Sequence, residues 1–309
     1  MGGSGGGYFS RDPKGAMREL RASQKKARDD QYVTQCNNLL SSYLSDFNDR
    51  DQELISQHLR EIKKALENEL EGTIDLKYGG SVSKHTFING LSDVDSLVML
   101  DNCELSDLPP DSAKEYLLTR LKERFPKTEI TAGQLALTLK FRDTEIQLLP
   151  AVSCRDHVKI ADETGTKWAN IRPKEFSTVL NQINQEKAGK VIPVIKLAKA
   201  IINTLPERHQ ISGYHAESLA VDLFREYRAE LRTKEMLQHY FTEGAKRVLR
   251  PMKDRTGQSV HVDDSLGPES SLERRIVSDA FSRIARRMDN ADAAGRLEDW
   301  KSLFGDVNE

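Results

Sequence analysis

Asp93 and Asp95 stand at the head of an apolar run, Leu97-Val98-Met99-Leu100, that reads as a buried strand. Residues two apart on a strand face the same way, so the pair presents two carboxylates to one point. About ten residues upstream lies Gly79-Gly80-Ser81, a turn whose bare N–H groups at a helix start suit a phosphate. Carboxylates on a rigid strand beside a phosphate-binding turn are the parts of a magnesium–nucleotide site. Nucleotidyl transfer is one chemistry that needs such parts. A ribose hydroxyl is activated near a metal, an α-phosphate is held in line, and the pyrophosphate leaving group is stabilised. The competing structural reading is a surface loop with a carboxylate pair on a strand edge.

These residues need a scaffold. Residues 78–100 read as strand, glycine turn, short helix, strand. Before them, Leu39, Leu40, Tyr43, Leu44 and Phe47 recur at helical spacing over about residues 31–47. A second helix carries Ile55, Leu59, Ile62, Leu66 and Leu70 on one face, and Glu71-Gly72 ends it. Ser112 and Glu115 form a capping box that opens a helix to Phe125, where Pro126 stops it. Leu135, Leu137, Leu139 and Phe141 alternate as a half-buried strand, and Glu145-Ile146-Gln147-Leu148-Leu149 is the next. Residues 153–167 are polar and loop-like. Beyond them Pro173 opens a run of helices, over 191–205, 214–227, 233–249 and 271–288, and Trp300 and Phe304 pin the end of the chain.

A length of 309 residues suggests two domains, and 38% hydrophobic content is ample for their cores. The net charge of −2 gives no global field for nucleic acid, so a polyanion would need a local basic patch. Cys36, Cys103 and Cys154 are scattered and odd in number. They suggest neither a disulfide framework nor a zinc site, which fits a reducing cytoplasm. No signal peptide and no membrane-spanning run is visible. Residues 1–7, MGGSGGG, are a flexible tail, added or native.

Gly80-Ser81, Lys84, Thr86, Gly90 and Ser92-Asp93-Val94-Asp95 together resemble the polymerase-beta type of nucleotidyltransferase. Within it the chain is similar to the bacterial CD-NTases, the oligonucleotide cyclases of anti-phage CBASS systems, a branch related to oligoadenylate and cyclic GMP-AMP synthases. The resemblance implies a bilobed α+β fold, with a mixed-sheet catalytic lobe and a helical oligoadenylate-synthase-like lobe. The expected division is a tail over 1–15, a catalytic lobe with its spine helices over 16–157, and the helical lobe over 158–309. The second helix resembles the family's long spine, which backs the sheet and crosses between lobes. The resemblance also implies ATP and other NTPs as substrates, Mg²⁺ (or Mn²⁺) as cofactor, and a cyclic oligonucleotide product. The run from Glu145 to Ala151 is similar to clades that make cyclic trinucleotides. HORMA-domain and AAA+ ATPase partners, with DNA activating through them, are implied by resemblance alone.

Residue by residue, Asp93 and Asp95 become metal ligands, and Gly80 and Ser81 grip the β- and γ-phosphates. The family's third carboxylate falls here on Gln147, and an amide cannot supply an anionic ligand. Glu145 lies one pleat earlier on the same face and is the residue expected to complete the site. The alternatives are two carboxylates with an amide, or weakened catalysis. Lys84 reaches a phosphate or is a solvated lysine, and His85 orients the loop or is a packed, non-catalytic histidine. Lys196 and Lys199 are triphosphate contacts from the second lobe, or a solvated helix face. Ser212 and Tyr214 approach the nucleotide, or serve as a helix cap and a core ring. Asp254 is structural. Arg274, Arg275, Arg283, Arg286 and Arg287 form a solvated face. A linear-product enzyme and a nucleotide-binding pseudoenzyme sensor are the rival functions.

Overall fold

The computed structural model describes residues 13–48, 52–67, 72–78, 84–86, 94–142, 144–154, 157–162, 164–171, 173–254 and 261–305. Two long helices, α1 (Pro13–Asn48) and α2 (Gln52–Glu67), precede strands β1 (Gly72–Tyr78) and β2 (Val94–Cys103). Helix α3 (Pro110–Arg124) then leads to β3 (Glu129–Ala132), β4 (Leu137–Lys140), β5 (Glu145–Cys154), β6 (His157–Ala161) and β7 (Trp168–Ile171). The remainder is helical: α4 (Pro173–Glu186), α5 (Val191–Asn203), α6 (Gly213–Arg225), α7 (Thr233–Arg247), α8 (Leu272–Ala294) and α9 (Leu297–Lys301).

β2 and β5 are apolar on both faces, so they take the centre of the sheet. The order is β1-β2-β5-β4-β3, and the far end of β5 runs on to pair with β6 and then β7. β2 and β5 are parallel, and the other pairings are antiparallel. One face of the sheet, with Ile74, Val98, Leu100, Ile146 and Leu148, is covered by α2 (Ile55, Leu59, Ile62, Leu66) and α3 (Ala113, Leu117, Leu121). The other face gathers Met99, Ala151, Ile160 and Ile171 into a small core of its own.

The helical core contains α4 to α9, and α1 belongs to it. Cys36, Leu40 and Phe47 are buried among Leu180, Val194, Leu197, Leu237 and Trp300. The two consecutive helices α1 and α2 therefore serve different cores. The apolar stripe at 36, 40 and 47 packs into the helical core rather than against the sheet. The sheet in turn runs to Ile171, because residues 157–161, within the stretch over 153–167 expected to be a loop, pair as β6, and β7 follows directly after that stretch. Lys159 and Asn170 point outward on a two-stranded extension, where polar residues are compatible with a strand.

Other differences are local. α1 starts at residue 13, well before the expected 31. α2 ends at Glu67, and Gly72 opens β1 opposite Cys103. α3 begins at Pro110 with Pro109 at its N-cap and no side-chain cap, so the Ser112/Glu115 capping box does not form. A proline in the first turn needs no capped N–H. The expected short helix after the glycine turn falls mostly outside the described residues.

Candidate active site

Gly80, Ser81 and Asp93 lie outside the described residues, as does most of the glycine turn. Asp95 is the second residue of β2, in register with Gln147 of β5, while Val94 is in register with Ile146. Glu145 starts β5, one position before the first paired rung, opposite Lys140 of β4. Strand pleating puts Glu145 and Gln147 on one face, with Ile146 and Leu148 fully buried on the other. Gln147, rather than Glu145, is thus the strand neighbour of Asp95. The Glu145 carboxylate forms an ion pair with Lys140 at 3.4 Å in a half-exposed setting, where such a pair adds little. The side chains offered by β5 here are oxygen donors, of the kind Mg²⁺ or Mn²⁺ takes. Among the described residues, no three His, Cys, Asp or Glu side chains are gathered into a metal-holding group.

A buried polar cluster lies where the two lobes meet. Lys84, carried on the segment that follows β1, forms an ion pair with Glu217 of α6. Lys199 of α5 pairs with the same carboxylate at 2.7 Å. Thr86 donates its hydroxyl to Glu217 Oε1, and Lys199 Nζ lies 3.3 Å from the Thr86 carbonyl oxygen. His85, between them, has φ of 59°, a left-handed conformation that turns Lys84 and Thr86 toward the same partner. The Lys84 ammonium also sits 5.2 Å from the ring centres of Phe176 and Tyr214. Burial pushes the Glu217 carboxyl up, but Lys199 and Lys84 overcome it and hold the group below its usual range.

α6 is built for this place. Ser212 caps it, accepting the His215 N–H at 3.1 Å. Gly213 follows Ser212 against the Lys199 side chain, where a Cβ would stand 3.4 Å from Nζ, an ordinary van der Waals contact. Tyr214 packs edge-on against Phe176 at 5.0 Å and donates its hydroxyl to Asp254 at 2.7 Å. Beneath lies a second buried charge cluster. Arg274 donates to Asp263 at 2.7 Å, and His215 Nε2 is 3.7 Å from the same carboxylate. Burial, with Arg274 adding to it against the pull of Asp263, lowers the His215 imidazole to about 4. Asp263 stays below the usual carboxylate range because hydrogen bonds from Arg274 and the Met252 N–H outweigh burial. Arg274 is fully buried, which removes it from the expected solvated arginine face, whereas Arg275, Arg283, Arg286 and Arg287 are exposed.

Lys196 is half-buried and bonds to the Asn48 side chain at the end of α1. Lys196 and Lys199 therefore have different partners. Of the sequence-derived candidates, the structure brings Lys84, Lys199 and Tyr214 together, with Ser212 at the N-terminus of the same helix. Glu217 was not singled out from the sequence. Its signal is a carboxylate amid Ala216, Leu219, Ala220 and Val221, all buried, and a buried carboxylate requires a cation.

Residues 33–184 match the family model described as the Second Messenger Oligonucleotide or Dinucleotide Synthetase domain. Comparison with curated proteins finds no match. Among solved structures, Escherichia coli MS115-1 CdnC with ATP is similar at 14% identity and a TM-score of 0.63, covering 89% of this chain and 97% of that one. The same CdnC in complex with HORMA-deltaN aligns at 17% identity and a TM-score of 0.62, over 81% and 90%. A Vibrio cholerae DncV variant with ATP, GTP and 5MTHFGLU2 aligns at 13% identity and a TM-score of 0.63, over 94% and 90%.

Proposed function

Starting from a chain that carries a Second Messenger Oligonucleotide or Dinucleotide Synthetase domain over residues 33–184, a nucleotidyltransferase of CD-NTase fold, we propose that it joins NTPs, ATP foremost, into a cyclic trinucleotide messenger. The observation that carries this reading is the lobe junction. Lys84 from the sheet side and Lys199 and Tyr214 from the helical side converge there, supplying cations and an aromatic ring to one place.

In each joining step a ribose hydroxyl attacks an α-phosphorus. A P–O bond forms, the α–β bridge breaks, and pyrophosphate leaves. Asp93, Asp95 and Glu145 would hold Mg²⁺, or Mn²⁺ in its stead. The ion lowers the pKa of the attacking hydroxyl and offsets the triphosphate charge. Gly80 and Ser81 grip the β- and γ-phosphates, Lys84, Lys196 and Lys199 face the triphosphate, and Tyr214 stacks on a base or ribose. Ser212 fixes the start of α6 and so the direction in which Tyr214 projects.

The setting follows from the same kinship. A CdnC neighbour occurs in complex with HORMA-deltaN, and we extend that to this chain: a HORMA-domain partner and an AAA+ ATPase regulate it, DNA acts through them, and the product signals in CBASS anti-phage defence in the cytoplasm. No helix among the described residues is long and apolar enough to cross a membrane.

Gln147 beside Asp95 favours a second reading, a nucleotide-binding sensor without catalysis. The test is incubation with Mg²⁺ and all four NTPs, phosphatase treatment and mass spectrometry, beside an Asp93→Asn/Asp95→Asn control. A phosphatase-resistant cyclic trimer absent from the control supports the cyclase. Linear products support an oligoadenylate-synthase-like activity. No product with or without HORMA partner and DNA, together with retained NTP binding, supports the sensor.

A further inference from the structure

At the lobe junction one carboxylate faces two lysines. The Glu217 side chain is 1% exposed, and those of Lys84 and Lys199 are 11% and 8% exposed. One lysine comes from the segment after β1 and the other from α5, and Thr86 fills the space between them with hydrogen bonds to both Glu217 and Lys199. Counting charges, the cluster carries two cations and one anion. Among the described ion pairs, no second carboxylate meets either lysine. A buried surplus of one positive charge is costly unless an anion joins it.

We infer that Glu217 is a positioning residue for substrate phosphate: it holds Lys84 and Lys199 side by side across the lobe junction and leaves one unit of positive charge for a phosphate oxygen. This rests on the nucleotidyltransferase reading and names the part of the site that takes the triphosphate. Lys84 is the lysine that turns to the phosphate. It is the more exposed of the two, and it lies over the faces of Phe176 and Tyr214, which keep an ammonium beside the opening. Lys199 stays with Glu217 and the Thr86 carbonyl oxygen. Because the two lysines come from different lobes, Glu217 also fixes the lobes relative to each other at the point where the triphosphate docks.

Among the described residues, the titratable groups facing Glu217, beside the Thr86 hydroxyl, are few. They are Lys84 from the sheet side, Lys199 from α5, and Tyr240 from α7, whose hydroxyl donates to the Ala216 carbonyl oxygen and stays neutral through burial and the nearby carboxylate. Tyr214, on α6 itself, is turned to Asp254. Removing the Glu217 charge therefore leaves two buried ammonium groups against each other, and one of them gives up its proton in the working pH range. The phosphate then has to restore that proton on binding.

The test measures binding of ATP with Mg²⁺ by titration calorimetry from pH 7 to 9, on the full-length wild type, Glu217→Gln, Glu217→Asp and the double variant Lys84→Met/Glu217→Gln. In the wild type the affinity is expected to stay nearly level. In Glu217→Gln it is expected to weaken with rising pH, approaching about tenfold per pH unit above the lowered lysine pKa. Glu217→Asp keeps the charge and should restore the level profile. The double variant keeps one lysine and one net positive charge, so it should fold and bind weakly with a level profile. It also gives a second reading if Glu217→Gln does not fold, since a steep profile there contradicts the charge count. A merely structural Glu217 would lower the melting temperature and the affinity at all pH values alike, and that parallel shift would overturn the inference. Wild-type protein that binds no ATP would instead overturn the nucleotide-binding reading beneath it.

Discussion

Replacing Arg274 by methionine is the perturbation with the largest effect that the helical lobe supports. The guanidinium is completely buried. It donates to the Asp263 carboxylate at 2.7 Å, to the carbonyl oxygens of Gly267 and Val248 at 2.9 and 3.0 Å, and to those of Pro268 and Asp263 at 3.2 Å. It thereby ties the segment that follows α7 to the first turn of α8. Methionine fills much of the volume but removes every donor. Asp263 is left as a buried anion with only the Met252 N–H at 3.0 Å and His215 beside it. Breaking a buried pair from one side costs about 3–5 kcal/mol, which lowers the melting temperature of a chain of 309 residues by roughly 5–8 °C. The cost should shrink on acidification. Arg274 is one of the groups that keep His215 neutral, so without it His215 can take a proton and pair with Asp263. The double variant Arg274→Met/Asp263→Asn should be more stable than Arg274→Met alone, because no unpaired charge remains. Thermal unfolding followed by circular dichroism at pH 5.5 and pH 8 reads all of this. A loss under about 1 kcal/mol, a cost that grows at low pH, or strictly additive single changes would refute the reasoning.

His215 gives its own pH dependence. Its folded-state pKa of about 4 lies below the ordinary value of 6.5, so its contribution is fully present above pH 6.5 and is lost as pH falls toward 4. That loss amounts to about 3 kcal/mol, and the stability difference between wild type and His215→Asn across that window should show it. A flat difference would contradict the burial of a neutral imidazole. Ser212→Ala removes the cap of α6 and should cost about 1 kcal/mol in urea unfolding. A smaller Ser212→Gly cost of only a few tenths of a kcal/mol would mark the effect as capping. Glu145→Gln tests the third carboxylate. Loss of product by about 100-fold or more with NTP affinity retained would assign it to the metal, while unchanged turnover would assign the place beside Asp95 to Gln147.

Much of this was legible in the sequence, and the failures have physical causes. The helices from α4 to α8 show in the spacing of residues such as Phe176, Leu180 and Ile183, because a half-buried helix writes its buried face every three or four residues. The allegiance of α1 does not show. Cys36, Leu40 and Phe47 mark a buried face but not which core buries it. β6 and β7 were missed because they are only five and four residues long and a polar turn joins them, and β3 because only Ile130 of its four residues is buried. Ser112 and Glu115 have capping-box spacing, yet Pro110 had already started the helix. At the site, Lys84, Lys199 and Tyr214 were named from motif and resemblance, but their common partner was not. Glu217 lies more than a hundred residues from Lys84, and ion pairs across that separation leave no local signature.

The most direct measurement of the central claim is pyrophosphate released per nucleotide joined, with ATP, Mg²⁺ and any activating partner supplied. Each bond made on an α-phosphorus frees one pyrophosphate, so a ring releases as many as it has nucleotides, and a linear product one fewer because it keeps a 5′-triphosphate. A ratio of one, with a phosphatase-resistant product that Asp93→Asn/Asp95→Asn does not make, is the expected result. A ratio below one with a phosphatase-sensitive product, or ATP binding with no pyrophosphate released, would contradict the cyclase.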